Sequence, residues 1–403
     1  MTVRPSNKWG ALAWSATAVV MSLTTWFSAS AVATELTADF MLTAGEAAWL
    51  INSVQAGFVV GALTSSILSL ADIWPALRIM TSASLVAGAT NLLMAVAPNT
   101  EVLMAARFGT GVALAMVYPV AMKFIATWFR VGRGLAMGAM VGALTLGSAA
   151  PHLLRTFEAE TDWKLVVYLS SGLCVAAALI FGLFLREGPH EFPRARADVK
   201  QFRAILRNRS VMLANLGYFG HMWELYAMWG WFLAYALAVQ TAGMELGNAS
   251  VLAFTVIALG SPSCVFAGWL ADRIGRSATT ALAMTISGIS ALAIGFAFDG
   301  PAWLFVALAC IWGFTVVSDS AQFSAAVSEL ADPNYVGSAL AFQMSLGFAI
   351  TMFTVWLVPQ LADWLGSWRW SFAVLSLGPL VGVPAMLALR ARPDAHKMAN
   401  GLR

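Results

Sequence analysis

Apolar runs long enough to cross a bilayer, cut by short polar breaks, organise this chain from one end to the other. A membrane-spanning helix needs roughly 20 mostly apolar residues. Reading between the breaks predicts twelve: 10–34, 46–70, 77–97, 101–124, 133–155, 164–186, 209–238, 248–271, 277–298, 302–327, 336–361 and 370–390. The one long polar stretch inside the chain, Arg186 to Arg209, divides them six and six. The pattern predicts an all-α membrane protein of two six-helix bundles, 1–186 and 209–403, joined by a cytoplasmic linker at 187–208.

The halves echo one another. Trp163-Lys164 precedes the sixth span and Trp368-Arg369 precedes the twelfth, 205 residues later. The fifth span opens "VGRGLA" at 131 and the eleventh "VGSALA" at 336, the same offset, which also relates Gly142 to Gly347. Ala71-Asp72 recurs as Ala271-Asp272 at an offset of 200. Two pseudo-symmetric bundles with six spans each are parallel repeats about an axis normal to the membrane.

Composition agrees. Only 11% of the 403 residues are charged and 60% are hydrophobic, with a mean hydropathy of +0.76; a soluble domain carries about 25% charged residues. Of the 23 Lys and Arg, 19 fall on one side if the N-terminus is inside, while Arg155, Lys164 and Arg369 fall outside and Arg107 lies within a span. Positive charge is retained on the cytoplasmic side, so both termini are expected there. The run before Ala31-Val32-Ala33 is of span length, longer than the 7–15-residue core of a signal peptide, and cleavage is not expected. Cys174, Cys264 and Cys310 sit in apolar segments and form neither a disulfide framework nor a metal cluster. The dispersed net charge of +3 offers no footing for nucleic acid. Nothing resembles a phosphate-binding loop, a dinucleotide turn or a hydrolytic triad, so neither an enzyme nor a cofactor is expected.

Residues 268–276 read "GWLADRIGR". This resembles the loop signature of the major facilitator superfamily (MFS), G-x-L-A-D-R-x-G-R, at the place between the eighth and ninth spans where that family repeats it. The resemblance implies the MFS fold, a secondary transporter working by alternating access, and a gating role for Gly268, Asp272, Arg273, Gly275 and Arg276. In the first-half copy, "LSLADIWPALR" at 68–78, Asp72 remains, while Leu68, Ile73, Pro75 and Ala76 replace the expected glycine, arginine, glycine and arginine. "RFGTG" at 107–111 is similar to the family's arginine-containing fourth-span motif. The fifth span has Ala149-Ala150-Pro151 where drug antiporters carry Gly-Pro, and the second and eighth spans lack the arginines of nitrate porters.

An ionisable group at the bilayer centre costs about 2.5–3.5 kcal/mol on insertion scales and faces a bundle interior or watery cavity. Well inside the spans stand Arg107 in the fourth, His221 and Glu224 in the seventh, and Asp319 in the tenth. The resemblance implies that the first, fourth, seventh and tenth helices line a central cavity and that the third, sixth, ninth and twelfth face lipid. At about 100° per residue, His221, Glu224, Met228 and Tyr235 fall within roughly a 60° arc. These four, with Arg107, Trp26 and Gln322, are the candidate substrate-binding residues. Glu224 is the first candidate proton carrier, with His221 its modulator and Asp319 a second site. Counting 1.5 Å per residue places Glu224 about 22 Å from the inner end of its helix and Arg107 about 9 Å below the outer end of its own. The two are expected to interact, directly or through an anionic substrate, while Asp319 joins a separate inner cluster with Ser318, Ser320 and Gln322. His152 is expected at a wetted outer interface. The chain thus reads as a proton-coupled secondary transporter of a small organic anion or amphipathic metabolite, a monomer in a cell membrane, the inner one of a bacterium. A proton-driven drug or metabolite efflux antiporter is the alternative, followed by a non-transporting receptor or assembly factor.

Overall fold

Where apolar runs continue the chain is helical; some prolines and hydroxyls interrupt the helices, whereas Pro151, Pro359 and Pro384 lie inside continuous ones. The computed structural model describes residues 7–68, 70–129, 133–158, 162–190, 202–332 and 336–403. In chain order the helices are α1 (Lys8–Leu23), α2 (Ser28–Ala31), α3 (Ala33–Asp39), α4 (Ala44–Ile67), α5 (Leu70–Ile73), α6 (Ala76–Leu92), α7 (Thr100–Leu114), α8 (Tyr118–Ala126), α9 (Arg133–Leu154) and α10 (Lys164–Leu179). They continue as α11 (Phe202–Arg207), α12 (Arg209–Thr241), α13 (Ala249–Ala258), α14 (Gly260–Ile274), α15 (Arg276–Phe296), α16 (Ala302–Thr315), α17 (Ser320–Leu330), α18 (Val336–Leu365) and α19 (Leu377–Arg390). The described residues contain no strand, and ten of their helical runs are long and apolar enough to cross a membrane.

The breaks have local causes. The predicted first span is divided among α1, α2 and α3. Thr24 and Thr25 turn their hydroxyls onto the carbonyls of Met21 (2.6 Å) and Ser22 (2.8 Å), a local bond that competes with the helix ladder. The fourth span stops at Leu114 and restarts at Tyr118 with Pro119 in its first turn, where proline's missing N–H does no harm. The eighth stops at Ala258, the residue whose carbonyl would need the N–H that Pro262 lacks. The seventh does not break. Asn208 caps it by accepting from Ser210 and Val211 N–H, both at 3.2 Å, and α12 runs for 33 residues. At the start of α4, Thr43 and Glu46 form a reciprocal capping box: Thr43 N–H and Oγ1 both donate to Glu46 Oε2 at 2.8 Å, and Glu46 N–H donates back at 3.3 Å.

The chain forms two compact units, Met1–Arg194 with Asn248–Ala258, and Ala195–Gly247 with Leu259–Arg403. In the first, α4 and α7 approach backbone to backbone: a Cβ on Gly57 would stand 2.0 Å from the Phe108 carbonyl oxygen, and one on Gly111 would stand 1.9 Å from that of Val54. In the second, α12 and α19 meet the same way, with Gly220 and Gly378 each facing the other's carbonyl at 2.4 and 2.1 Å from the ideal Cβ. Large apolar side chains point outward on the remaining faces, Val86 on α6, Leu179 on α10, Ile289 on α15 and Leu380 on α19, a surface suited to lipid and not to water. Two of the three cations predicted on the outer side are neutralised by acids, Arg155 by Glu35 and Arg369 by Asp299 at 2.5 Å.

After α19 the chain folds back over its own unit. Ala395 and Met398 are buried, and Ala399 and Asn400 adopt the left-handed region to turn the segment. Gly275, at φ +91°, receives the returning backbone so closely that a Cβ there would lie 1.9 Å from the Arg403 carbonyl oxygen. Burial of the Asp394 carboxyl opposes its charge, but hydrogen bonds from Ser210, its own backbone N–H and Arg392 outweigh that effect and hold the group below the usual carboxylate range.

Gly111→Val should cost about 3 kcal/mol or more, because it drives two methyls into the α4 backbone, whereas Gly172→Ala, with nothing within 4 Å of the new methyl, should be silent. Thermal unfolding of the two detergent-purified variants checks the contrast; equal midpoints would overturn the close-packing account.

Candidate functional site

In the first unit the central side chain is Arg107 on α7, which is fully buried. Its Nη1 donates to the Thr25 carbonyl at 2.7 Å and to Ser28 Oγ at 3.3 Å, and its Nη2 donates to the Trp26 carbonyl. These carbonyls are the ones freed where the first span breaks. A helix C-terminus carries partial negative charge, so the end of α1 and the guanidinium suit each other. Ser28 Oγ lies 2.7 Å from Asn91 Oδ1, and Asn91 Nδ2 donates to Ser171 Oγ at 3.0 Å. Ser22 and Ser84 hydroxyls meet at 3.0 Å. Polar side chains of the first, third, fourth and sixth spans thus satisfy one another around the break. The Trp26 ring packs edge-on to Phe58, 4.9 Å between centroids.

The second unit holds the titratable cluster. Glu224 is buried on α12; its Oε1 accepts from Trp312 Nε1 at 2.6 Å and its Oε2 from Ser287 Oγ at 2.9 Å. One turn inward, His221 Nδ1 stands 2.8 Å from Asp319 Oδ1. The contact is close, but it is not aligned as a hydrogen bond, and His221 Nε2 also has no hydrogen-bond partner. Phe323 and Tyr218 rings flank the imidazole at 5.6 and 6.0 Å. Below, Gln343 Nε2 donates to Asn215 Oδ1 at 3.1 Å and its Oε1 accepts from Ser324 Oγ at 3.3 Å. Among the described residues neither Glu224 nor Asp319 has a lysine or arginine partner. Gly220, tight against Gly378, fixes the depth of its neighbour His221.

Several expectations change. Arg107 and Glu224 each have hydrogen-bond partners within their own unit. Asp319 is not part of a separate inner cluster, since it meets His221 at the same level. His152 is fully buried, not at a wetted interface. Gln322 accepts from Arg276 Nη1 at 2.8 Å. Met228 is buried within α12, and Tyr235 stacks on Phe372 at 4.5 Å while donating to the Arg369 carbonyl at 2.9 Å. Trp312, Ser287, Asn215 and Gln343 were not anticipated. A signal for Trp312 existed: it lies seven residues before Asp319, the spacing that shares a face where a helix is continuous.

In the signature loop, Gly275 makes the turn that ends α14 and starts α15. Arg276 pairs bidentately with Glu329, at 2.7 Å from Nε and 2.5 Å from Nη2. Arg273 lies over the Trp269 ring, 4.1 Å from its centroid. Asp272 is exposed and makes no hydrogen bond among the described residues, and Gly268 has open space around it. The side chain of Asp72 lies outside the described residues.

Long apolar helices with hydrogen-bonded charges in their interiors mark a multi-pass membrane protein. The family model described as Major Facilitator Superfamily matches residues 14–317 and 243–402, and the chain belongs to that superfamily. It is 22% identical over 303 residues to the MFS-type transporter opdF of Penicillium oxalicum, a match covering 70% of this chain and 66% of that protein, just under two thirds of its length. To the niacin transporter NiaP of Acinetobacter baylyi it is 25% identical over 312 residues, covering 66% of this chain and 67% of the other. The fold is that of a solved D-xylose-proton symporter, with a TM-score of 0.73 at 16% identity over 97% of this chain and 99% of the other.

Arg107→Ala should destabilise the protein by about 1–3 kcal/mol through the stranded Trp26 carbonyl and the Thr25 carbonyl left with Ser28 Oγ alone. Arg107→Lys, keeping the charge but not the planar fork, should recover only part of that loss in thermal unfolding. A midpoint unchanged in Arg107→Ala would show that the break does not depend on the guanidinium.

Proposed function

We propose that this chain is a proton-coupled secondary transporter of a small organic solute, working by alternating access with both termini cytoplasmic and twelve spans in two bundles. The observation that carries the reading is the pair of buried carboxylates, Glu224 and Asp319, beside His221 with no fixed cation among their described partners. A buried charge is costly unless neutralised, and a proton is the partner that arrives and leaves. Glu224 is the proton carrier, held by Trp312 and Ser287; Asp319 and His221 form the second proton-holding position. The D-xylose-proton symporter with the same fold supports proton coupling, and the niacin transporter supports a small organic anion as substrate. Arg107 Nε, buried and without a hydrogen-bond partner, is the donor left for such an anion after the backbone carbonyls have taken the others. Trp26 and Met228 supply apolar surface in this reading, and Tyr235 its outer aromatic end. An efflux antiporter would use the same carboxylates in exchange.

In proteoliposomes, gradient-driven movement of the substrate should stop when a protonophore collapses the pH gradient, and Glu224→Gln and Asp319→Asn should abolish it while leaving the purified protein monodisperse. Movement indifferent to the gradient would reject proton coupling. Nicotinate is the first probe for the anion: at a hundred times its Kd it should stabilise the fold by about 2.7 kcal/mol, and no stabilisation by it or other small carboxylates would remove the anion assignment.

A further inference from the structure

Helix α17 touches both the buried titratable pair and the cytoplasmic signature loop. Asp319 immediately precedes it and stands 2.8 Å from His221. Three residues on, Gln322 Oε1 accepts from Arg276 Nη1 at 2.8 Å. Seven further on, Glu329 takes the other edge of the same guanidinium at 2.7 and 2.5 Å, and its Oε2 also accepts from Ala399 N–H at 3.1 Å. Positions three, seven and ten residues apart share one helical face, so the rod presents Asp319, Gln322 and Glu329 in a row about 15 Å long. The helix is short, and a turn at 316–319 separates it from α16. Its first-turn Phe323 is seated on the imidazole of His221, 5.6 Å between centroids.

We infer that Gln322 is a positioning residue that couples the protonation state of the His221–Asp319 pair to the signature loop, by holding Arg276 on the same face of α17 that carries Asp319. When Asp319 is charged it draws the start of α17 to His221, and Gln322, less than one turn away, keeps Arg276 docked. When the carboxyl takes a proton the tie slackens, the first turn of α17 moves away from its place, and Arg276 keeps only its Glu329 contact at the far end of the helix. On α12 the pair has Glu224 one turn outward, itself held by Trp312 of α16 and Ser287 of α15, and Tyr218 one turn inward, while Phe323 of α17 lies against the imidazole; of these only Glu224 and Tyr218 titrate. Gln343 engages Asn215 and Ser324, so of the two α17 side chains that hold Arg276, Gln322 is the one within a turn of Asp319, and Glu329 lies two turns further along. The role in transport rests on the proton-coupled reading, but the mechanical coupling is measurable without substrate or gradient.

The test is hydrogen–deuterium exchange of the full chain in lipid nanodiscs at one pH, read in peptides covering 268–279. Asp319→Asn, the neutral isostere, should speed exchange there about fivefold, the effect of losing one hydrogen bond. In a Gln322→Leu background, which removes the acceptor but keeps the bulk, Asp319→Asn should add nothing further. Gln322→Glu restores an acceptor for Arg276 and should restore the response to Asp319→Asn, which a merely structural role for Gln322 would not do. Exchange in 268–279 that ignores Asp319→Asn, or a response that survives Gln322→Leu, overturns the coupling. Should Gln322→Leu not fold, the Gln322→Glu pair alone decides: no response to Asp319→Asn in that background refutes the inference. Loss of gradient-driven transport in Asp319→Asn with an unaltered loop would keep proton coupling and reject the relay.

Discussion

A carbonyl released from its helix inside a bilayer has no water to turn to, and hydrogen-bond donors must come from elsewhere in the protein. The first span breaks between Leu23 and Ser28, and Arg107 supplies the donors, so the guanidinium and the break make each other possible. The surrounding network of Ser28, Asn91 and Ser171 extends that solution across three neighbouring spans. An arginine that looks costly by its depth alone is stabilised by the negative end of a helix and by carbonyls already in need of partners.

The second unit meets the same constraint with opposite charge. Among the described residues Glu224 has no cation to neutralise it, and its oxygens rest on one indole and one hydroxyl. Neutral donors steady a carboxylate without cancelling its charge, which leaves room for a proton to do so. A permanent lysine at this place would satisfy the charge and leave no vacancy for a proton. The His221–Asp319 contact repeats the arrangement one turn inward, where the imidazole is itself able to give or take a proton.

The spans were legible because hydrocarbon forces long apolar runs, and the four interior charges stood out against them. Pro119 and Pro262 mark breaks that a reader could have placed, whereas the break after Leu23 rests on threonine hydroxyls, a weaker signal. Trp312 and Ser287 were hidden because an indole and a hydroxyl in a greasy helix look like packing until a carboxylate is found beside them. A count of helical rise could not say which neighbouring helix a side chain reaches, and so it separated Asp319 from His221. The Thr25 and Trp26 carbonyls that Arg107 holds were not legible, because backbone acceptors leave no mark in the residue types. The signature loop was legible in its glycine turn and its arginine, but not in its partners, since Gln322 and Glu329 come from a helix about 50 residues away in the sequence.

The fold of the last residues bears on how such a protein can be handled. The backbone at Leu402 and Arg403 rests on Gly275, where even a methyl group has no room. A polypeptide extended past this point must set out from beside the turn of the signature loop, so a purification handle or fluorescent reporter attached there would crowd the very segment whose freedom is of interest.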